Sequence, residues 1–173
     1  MRVWDLATGK SRILTGHTGK VFTVVYSPDG KYLASASDDK TVRVWDLATG
    51  KSRILTGHTD GVSAVGYSPD GKYLASASWD GTVRVWDLAT GKSRILTGHT
   101  GEVSAVGYSP DGKYLASGGG DKTVRVWANV SLAPAAITDL ICRDLFRNLT
   151  SDERAMYLPS AGSGAQACPQ SIR

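Results

Sequence analysis

Three histidines, His17, His58 and His99, each stand 18 residues before a serine and 22 before an aspartate, giving the sets Ser35 and Asp39, Ser76 and Asp80, Ser117 and Asp121. These are the residue types of a hydrolytic triad, in which imidazole takes the serine proton and a carboxylate fixes the imidazole tautomer. A triad, however, is needed once, at one cleft beside one oxyanion hole. Here the set is written three times, each followed ten residues after the serine by a tryptophan, Trp45, Trp86 or Trp127. The repetition argues against an enzyme and leaves a hydrolase using one of the three sets as the minor alternative.

The elements that position these residues follow from the repeat itself. Trp4, Trp45, Trp86 and Trp127 are 41 residues apart; residues 4–44 and 45–85 agree at 34 of 41 positions, and residues 45–85 and 86–126 at 35. A period of about 40–45 residues is that of propeller blades. Each unit reads as four short strands. In the first complete unit Val21, Val24 and Tyr26 mark one β-rich run, which ends at Ser27-Pro28-Asp29-Gly30, where proline presets φ and glycine accepts the left-handed region. Tyr32 to Ser37 and Thr41 to Trp45 form the second and third runs, and Ala48-Thr49-Gly50-Lys51 leads into a fourth, Ser52 to Thr56. Four strands graded from small to bulky residues suit a wedge-shaped blade.

Gly16-His17, Ser35, Asp39 and Trp45-Asp46, recurring in order with Ser-Pro-Asp-Gly, Leu-Ala-Ser and Asp-x-Thr-Val, make residues 1–127 resemble the WD-repeat family closely. The resemblance implies an all-β propeller fragment of about three blades plus a half blade. Residues 1–16 would supply strands c and d of a partial blade, residues 17–57 blade 1, residues 58–98 blade 2, and residues 99–127 a third blade lacking its outer strand. It also implies that His17, Ser35, Asp39 and Trp45, with His58, Ser76, Asp80 and Trp86 and with His99, Ser117, Asp121 and Trp127, form structural relays of mutually satisfied polar groups. Such chains of bonds lock loop to strand. The third unit identifies the serine, because Ser37 and Ser78 correspond to Gly119 whereas Ser117 persists.

The differences between units fall at the start of the first strand and at the turn between the second and third. Gly19, Lys20, Phe22, Thr23 and Val25 are matched by Asp60, Gly61, Ser63, Ala64 and Gly66, and by Gly101, Glu102, Ser104, Ala105 and Gly107. At the turn, Asp38 and Lys40 are matched by Trp79 and Gly81, and then by Gly120 and Lys122. In WD-repeat propellers these places border the mouth of the central channel, where partners dock. Lys20, Phe22, Asp38, Ser63, Trp79, Glu102 and Ser104 are therefore the expected partner-binding face. Aromatic residues lead the hot spots of interfaces. Drift at indifferent surface positions is the plainer account. A glycan- or small-ligand-binding propeller using Trp79 as a stacking platform is the rival functional reading.

Composition narrows the classes further. The chain has 173 residues and a formal charge of +4. Lys10, Arg12, Lys51, Arg53, Lys92 and Arg94 fall on the fourth strands without aromatic interleaving, a pattern that guards strand edges rather than binding nucleic acid. No apolar run approaches the roughly 18 residues that span a bilayer, so no membrane and a cytoplasmic location are expected. Cys142 and Cys168 alone make no metal site, and no phosphate-binding loop occurs, so neither cofactor nor metal is expected.

Three blades and a half leave outer faces uncovered, so either a second copy lends a fourth strand from residues 11–16, giving a homo-oligomer by strand exchange, or the chain is the end of a longer array. Met1 aligns with Val42, Val83 and Val124, inside a repeat, which favours a truncated start. Residues 128–159 read as a helical tail, with Ile137, Leu140, Ile141 and Leu145 at helical spacing and Thr150 with Glu153 as a capping box, and residues 160–173 read as disordered. Cys142-Arg143, Arg147 to Thr150, Glu153, Tyr157-Leu158-Pro159 and Cys168-Pro169 resemble the C-terminus of bacterial multidomain WD-repeat signalling proteins, although Arg154 replaces that tail's usual tryptophan. The expected function is a non-catalytic scaffold or sensor module that binds a protein or peptide, as the C-terminal fragment of such a protein.

Overall fold

Short β-branched runs separated by proline, aspartate and glycine build antiparallel sheets joined by tight turns. The structure, a computed structural model, describes residues 1–128, and these are all-β. A two-stranded hairpin, β1 (Arg2–Trp4) with β2 (Ser11–Ile13), is followed by a four-stranded sheet of β3 (Val21–Tyr26), β4 (Tyr32–Ser37), β5 (Val42–Asp46) and β6 (Ser52–Leu55) in that order. The second four-stranded sheet is β7 (Val62–Tyr67), β8 (Tyr73–Ser78), β9 (Val83–Asp87) and β10 (Ser93–Leu96). The third contains β11 (Val103–Tyr108), β12 (Tyr114–Gly119) and β13 (Val124–Ala128), the last running one residue beyond the tryptophan. The helical tail expected from residue 128 onward lies, apart from Ala128, outside the described residues. Among the described residues no helix is long and apolar enough to cross a membrane.

The turns close by side-chain chemistry written in the repeat. Between β3 and β4, the Ser27 hydroxyl donates to Asp29 Oδ1 (2.6 Å) and accepts the Tyr32 N–H (2.9 Å), while Gly30 takes φ 70°. Between β5 and β6, Asp46 Oδ1 accepts the N–H groups of Ala48 (2.8 Å) and Thr49 (3.0 Å). The aspartate of each Trp-Asp pair is thus a turn cap, and the third unit has Ala128 in its place.

The core lies between sheets, not within one. Ala34, Ala36, Val42 and Leu55 of the first sheet pack with Val62, Val65, Leu74 and Trp86 of the second. Ala75, Ala77, Val83, Val85 and Leu96 pack in turn with Val103 and Leu115 of the third. Leu14, beside the first hairpin, joins Leu33 and Trp45. Alanine on each second strand allows neighbouring sheets to approach closely, and β4 and β8 are buried from Leu33 to Ser37 and from Leu74 to Ser78 because both faces are covered. In the third sheet the identical valines stand open: Val124 is 75% exposed where Val42 and Val83 are 0%.

Candidate functional site

Each histidine sits on the loop leading into a first strand, its serine on the second strand, its aspartate in the following turn and its tryptophan on the third strand. Pairing of Leu33 with Trp45 and of Ser35 with Arg43 places serine and indole on neighbouring strands. In the second unit His58 Nδ1 lies 2.8 Å from Asp80 Oδ2, His58 Nε2 2.8 Å from Ser76 Oγ, and the Trp86 indole N–H donates to the same Oγ at 2.8 Å. A carboxylate only accepts, so Nδ1 carries the proton and Nε2 of the neutral ring accepts the serine O–H. The first unit repeats this at 2.8, 2.7 and 2.8 Å, and the third at 2.8, 2.9 and 2.9 Å. Ser35 and Ser76 have no exposed surface and Ser117 has 2%. In each unit the serine Oγ accepts the indole N–H of the tryptophan.

The charges of the relay are set by burial against hydrogen bonding. Desolvation pushes the His58 imidazolium below the ordinary histidine range, only partly opposed by the bond and charge of Asp80. Burial alone would raise the Asp80 carboxyl, but the Thr82 hydroxyl, the Thr59 N–H and His58 outweigh it and bring it to about 2. Asp39 is likewise held well below the usual carboxylate range, burial being outweighed by the Thr41 hydroxyl, the Thr18 N–H and His17. Those threonines extend each relay beyond the four residues named from sequence: Thr41 Oγ1 donates to Asp39 Oδ1 at 2.6 Å and Thr82 Oγ1 to Asp80 Oδ1 at 2.7 Å. Their invariant place two residues after each aspartate was the available signal.

The variable residues occupy a second, distinct arrangement. Strand pairing slips between Val21 and Thr23, Val62 and Ala64, and Val103 and Ala105, so Phe22, Ser63 and Ser104 are the extra residues of three equivalent bulges. Bulges re-aim side chains, and the first two of these reach the next sheet. The Phe22 ring lies 5.1 Å from the Trp79 ring, centroid to centroid, tilted by 51°. The Ser63 hydroxyl donates to the Val103 carbonyl at 2.6 Å, so it joins two sheets rather than facing outward. In the first unit Thr23 makes the matching bond, to the Ser63 carbonyl at 2.8 Å.

Beside each bulge two positions face one another across a backbone hydrogen bond: Asp38 N–H to Lys20 O (2.9 Å), Trp79 to Gly61 (2.9 Å) and Gly120 to Glu102 (2.8 Å). In the second and third pairs one member is glycine and the other fills the space beside it. A Cβ on Gly61 would come within 2.8 Å of Trp79 Cε3, and one on Gly120 within 3.0 Å of Glu102 Cγ. Trp79 therefore lies over Gly61 and against Phe22, which removes part of its ring from water. Both rings keep substantial exposure, 38% for Trp79 and 41% for Phe22. Asp38 Oδ1 closes on the same space above Gly61, 3.2 Å from that Cβ position. Asp38 and Trp79 meet there, and Phe22 packs on the Trp79 ring; Lys20, Glu102 and Ser104 are exposed.

The basic fourth strands have a further task that their composition did not reveal. Arg53 Nη1 donates to the Leu88 carbonyl at 2.7 Å, and Arg12 reaches the Leu47 carbonyl in the same way, each tying its strand to the following sheet. Arg84 donates to the Gly57 carbonyl (2.7 Å) with its guanidinium 5.7 Å from the centre of the Trp86 ring.

Comparison with known proteins identifies the repeat itself. The family model "WD domain, G-beta repeat" matches residues 9–46, 50–87 and 91–128. Mouse coronin-7 is 48% identical over 44 residues, which cover 25% of this chain and 5% of coronin-7. Nuclear distribution protein nudF 1 of Talaromyces marneffei is 46% identical over 43 residues, covering 25% of this chain and 9% of that protein. The aligned stretches are thus about one repeat long and a small fraction of either relative. With three matched repeats, each carrying the same relay and the same bulge, the chain belongs to the WD-repeat family.

Proposed function

We propose that this chain is a non-catalytic interaction module that docks a protein or peptide on the face formed by Phe22, Asp38 and Trp79, as the C-terminal part of a larger bacterial signalling protein acting in the cytoplasm. The observation that carries the reading is the convergence of the variable residues: two large, partly exposed aromatic rings from adjacent sheets meet beside an exposed carboxylate. Rings of this kind become anchors when a partner removes the rest of their surface from water. Selection of ligands from a random peptide display library tests it. Ligands that bind the chain should lose about tenfold or more in affinity to Phe22→Ala and Trp79→Ala, the scale of a hot-spot truncation. Ligands indifferent to both substitutions refute the face. A serine-directed covalent probe tests the absence of catalysis, since labelling of Ser76 contradicts it.

The open third sheet supports a second element of the proposal. In the first sheet the third strand receives a fourth through the pairs Val42 with Leu55 and Trp45 with Ser52, and in the second through Val83 with Leu96 and Trp86 with Ser93. Among the described residues β13 has no such neighbour. Ser11-Arg12-Ile13-Leu14 of a second copy has the same sequence as Ser52 to Leu55 and suits that edge. A monomeric solution mass at all concentrations contradicts strand exchange.

A further inference from the structure

We infer that β1 is a stand-in, within the chain, for β13 of a second copy, and that it must leave β2 before the third sheet of that copy can dock there; this rests on the strand exchange proposed above. The third sheet has the first three strands of a unit, and the hairpin of β1 and β2 has the register of the last two. Arg2 with Ile13, Val3 with Arg12 and Trp4 with Ser11 repeat the pairs Arg84 with Ile95, Val85 with Arg94 and Trp86 with Ser93. Joining the two pieces gives one complete sheet with one strand too many. The surplus is Arg2-Val3-Trp4, which has the same sequence as Arg125-Val126-Trp127. Both would use the same edge of β2 in the same register, so one excludes the other.

The faces left open around these strands are the two halves of a contact that the chain already makes twice. Leu33 and Trp45 of the first sheet are buried beneath Leu14, with Met1 and Val3 packed beside them, but Val21, Val24 and Tyr26 on the inner strand are exposed. Val24 is 48% exposed where Val65, its equivalent in the second sheet, is 5%. At the other end Val124 and Val126 are exposed where Val83 and Val85 are buried against the following sheet. The seam bonds continue the match: Thr23 Oγ1 donates to the Ser63 carbonyl and Ser63 Oγ to the Val103 carbonyl, while Ser104 is exposed and makes no such bond among the described residues. The Val21 carbonyl of a second copy is the counterpart of Val103. A head-to-tail contact of this kind joins unlike faces of identical chains. β1 holds β2 at low chain concentration because residues 5–10 tether it there. β13 brings a whole sheet, whereas a two-stranded hairpin is marginal by itself.

Proline at two equivalent positions, Val3 and Val126, tests the competition by sedimentation velocity of the full chain over a range of concentrations. The Val3 N–H is directed at β2, since it alternates with the bonds from Asp5 N–H to Lys10 O (2.8 Å) and from Leu14 N–H to Met1 O (3.0 Å). The Val126 N–H is directed at the vacant edge, since Gly119 N–H donates to Thr123 O (3.3 Å) on the other side. Val3→Pro should therefore loosen the stand-in and bring association to a concentration about tenfold lower, the scale of three cross-strand pairs. Val126→Pro should keep the chain monomeric, alone or combined with Val3→Pro. A second variant does not weaken the hairpin: Trp4→Cys with Ser11→Cys, in a chain carrying Cys142→Ser and Cys168→Ser, should be monomeric when oxidised and associate when reduced. Association of the unmodified chain that neither Val3→Pro nor the oxidised pair alters overturns the stand-in and leaves strand exchange standing. Association of the double proline variant overturns the role of β13. Monomers throughout, for every variant, overturn strand exchange and the stand-in together.

Discussion

Truncating the central histidine of the second relay, His58→Ala, measures how much these polar sets contribute to the fold. The imidazole accepts from the Ser76 hydroxyl at 2.8 Å and donates to Asp80 at 2.8 Å. Ser76 has no exposed surface, so its O–H is left with no acceptor and no water, a loss of about 1–3 kcal/mol. Asp80 fares better, because the Thr59 N–H, the Thr82 N–H and the Thr82 hydroxyl still reach it at 3.0, 2.9 and 2.7 Å. The vacated ring volume adds an unfilled space beside Trp86, worth about 1 kcal/mol if the loop settles only partly. The expected destabilisation is therefore about 2–4 kcal/mol. Urea unfolding followed by tryptophan fluorescence and far-ultraviolet dichroism reads it as a lower midpoint at constant slope. Ser76→Ala in the same background should add less than it costs alone, since the orphaned hydroxyl leaves with it. An unchanged midpoint for His58→Ala, or full additivity of the pair, would refute the relay as a source of stability.

Two further expectations concern acid and the paired variable positions. His58 is depressed in the folded chain, so the unfolded chain binds more protons as pH falls below 6.5, and stability should begin to decline there. Asp80, lowered from 3.8 to about 2, contributes stability that is present above 3.8 and lost as pH falls through 2, which adds a second decline in urea midpoints measured from pH 7 to pH 2. A midpoint that rose on acidification from pH 7 to pH 5 would contradict the neutral His58. At the variable pair, Gly61→Glu should force the Trp79 ring aside and Trp79→Gly should remove its packing on Phe22, each costing about 1 kcal/mol. The double substitution recreates the Glu102 and Gly120 combination and should return to within about 0.5 kcal/mol of the starting protein; strictly additive losses in the unfolding midpoint would show the positions to be independent.

The strands and turns were legible because their causes are local. Ser27, Asp29 and Gly30 close a turn with one another, and Asp46 caps the turn that follows it, so each could be read from a few adjacent residues. The candidate face was legible only as a set of positions. Phe22 and Trp79 belong to different units, and nothing in the chain between them signals a contact; the bulge at Phe22 and the stacking of β3 on β7 bring the rings together. Ser63 shows the same limit in reverse, since it shares the Phe22 position but turns its hydroxyl into the seam. The exchange of bulk between Gly61 and Trp79, and between Glu102 and Gly120, was the one trace of this geometry visible in the sequence.

The repeat by itself determined the strand pattern, the turn chemistry and the residue types of each relay, because hydrogen-bond donors, acceptors and φ preferences act over a few residues. Tertiary structure alone decided which copies of a residue are core. Val42, Val83 and Val124 share the same Thr-Val-Arg-Val-Trp context, yet two are wholly buried and the third is 75% exposed. Burial is a property of the sheet on the other side, and no sequence local to a valine contains that neighbour.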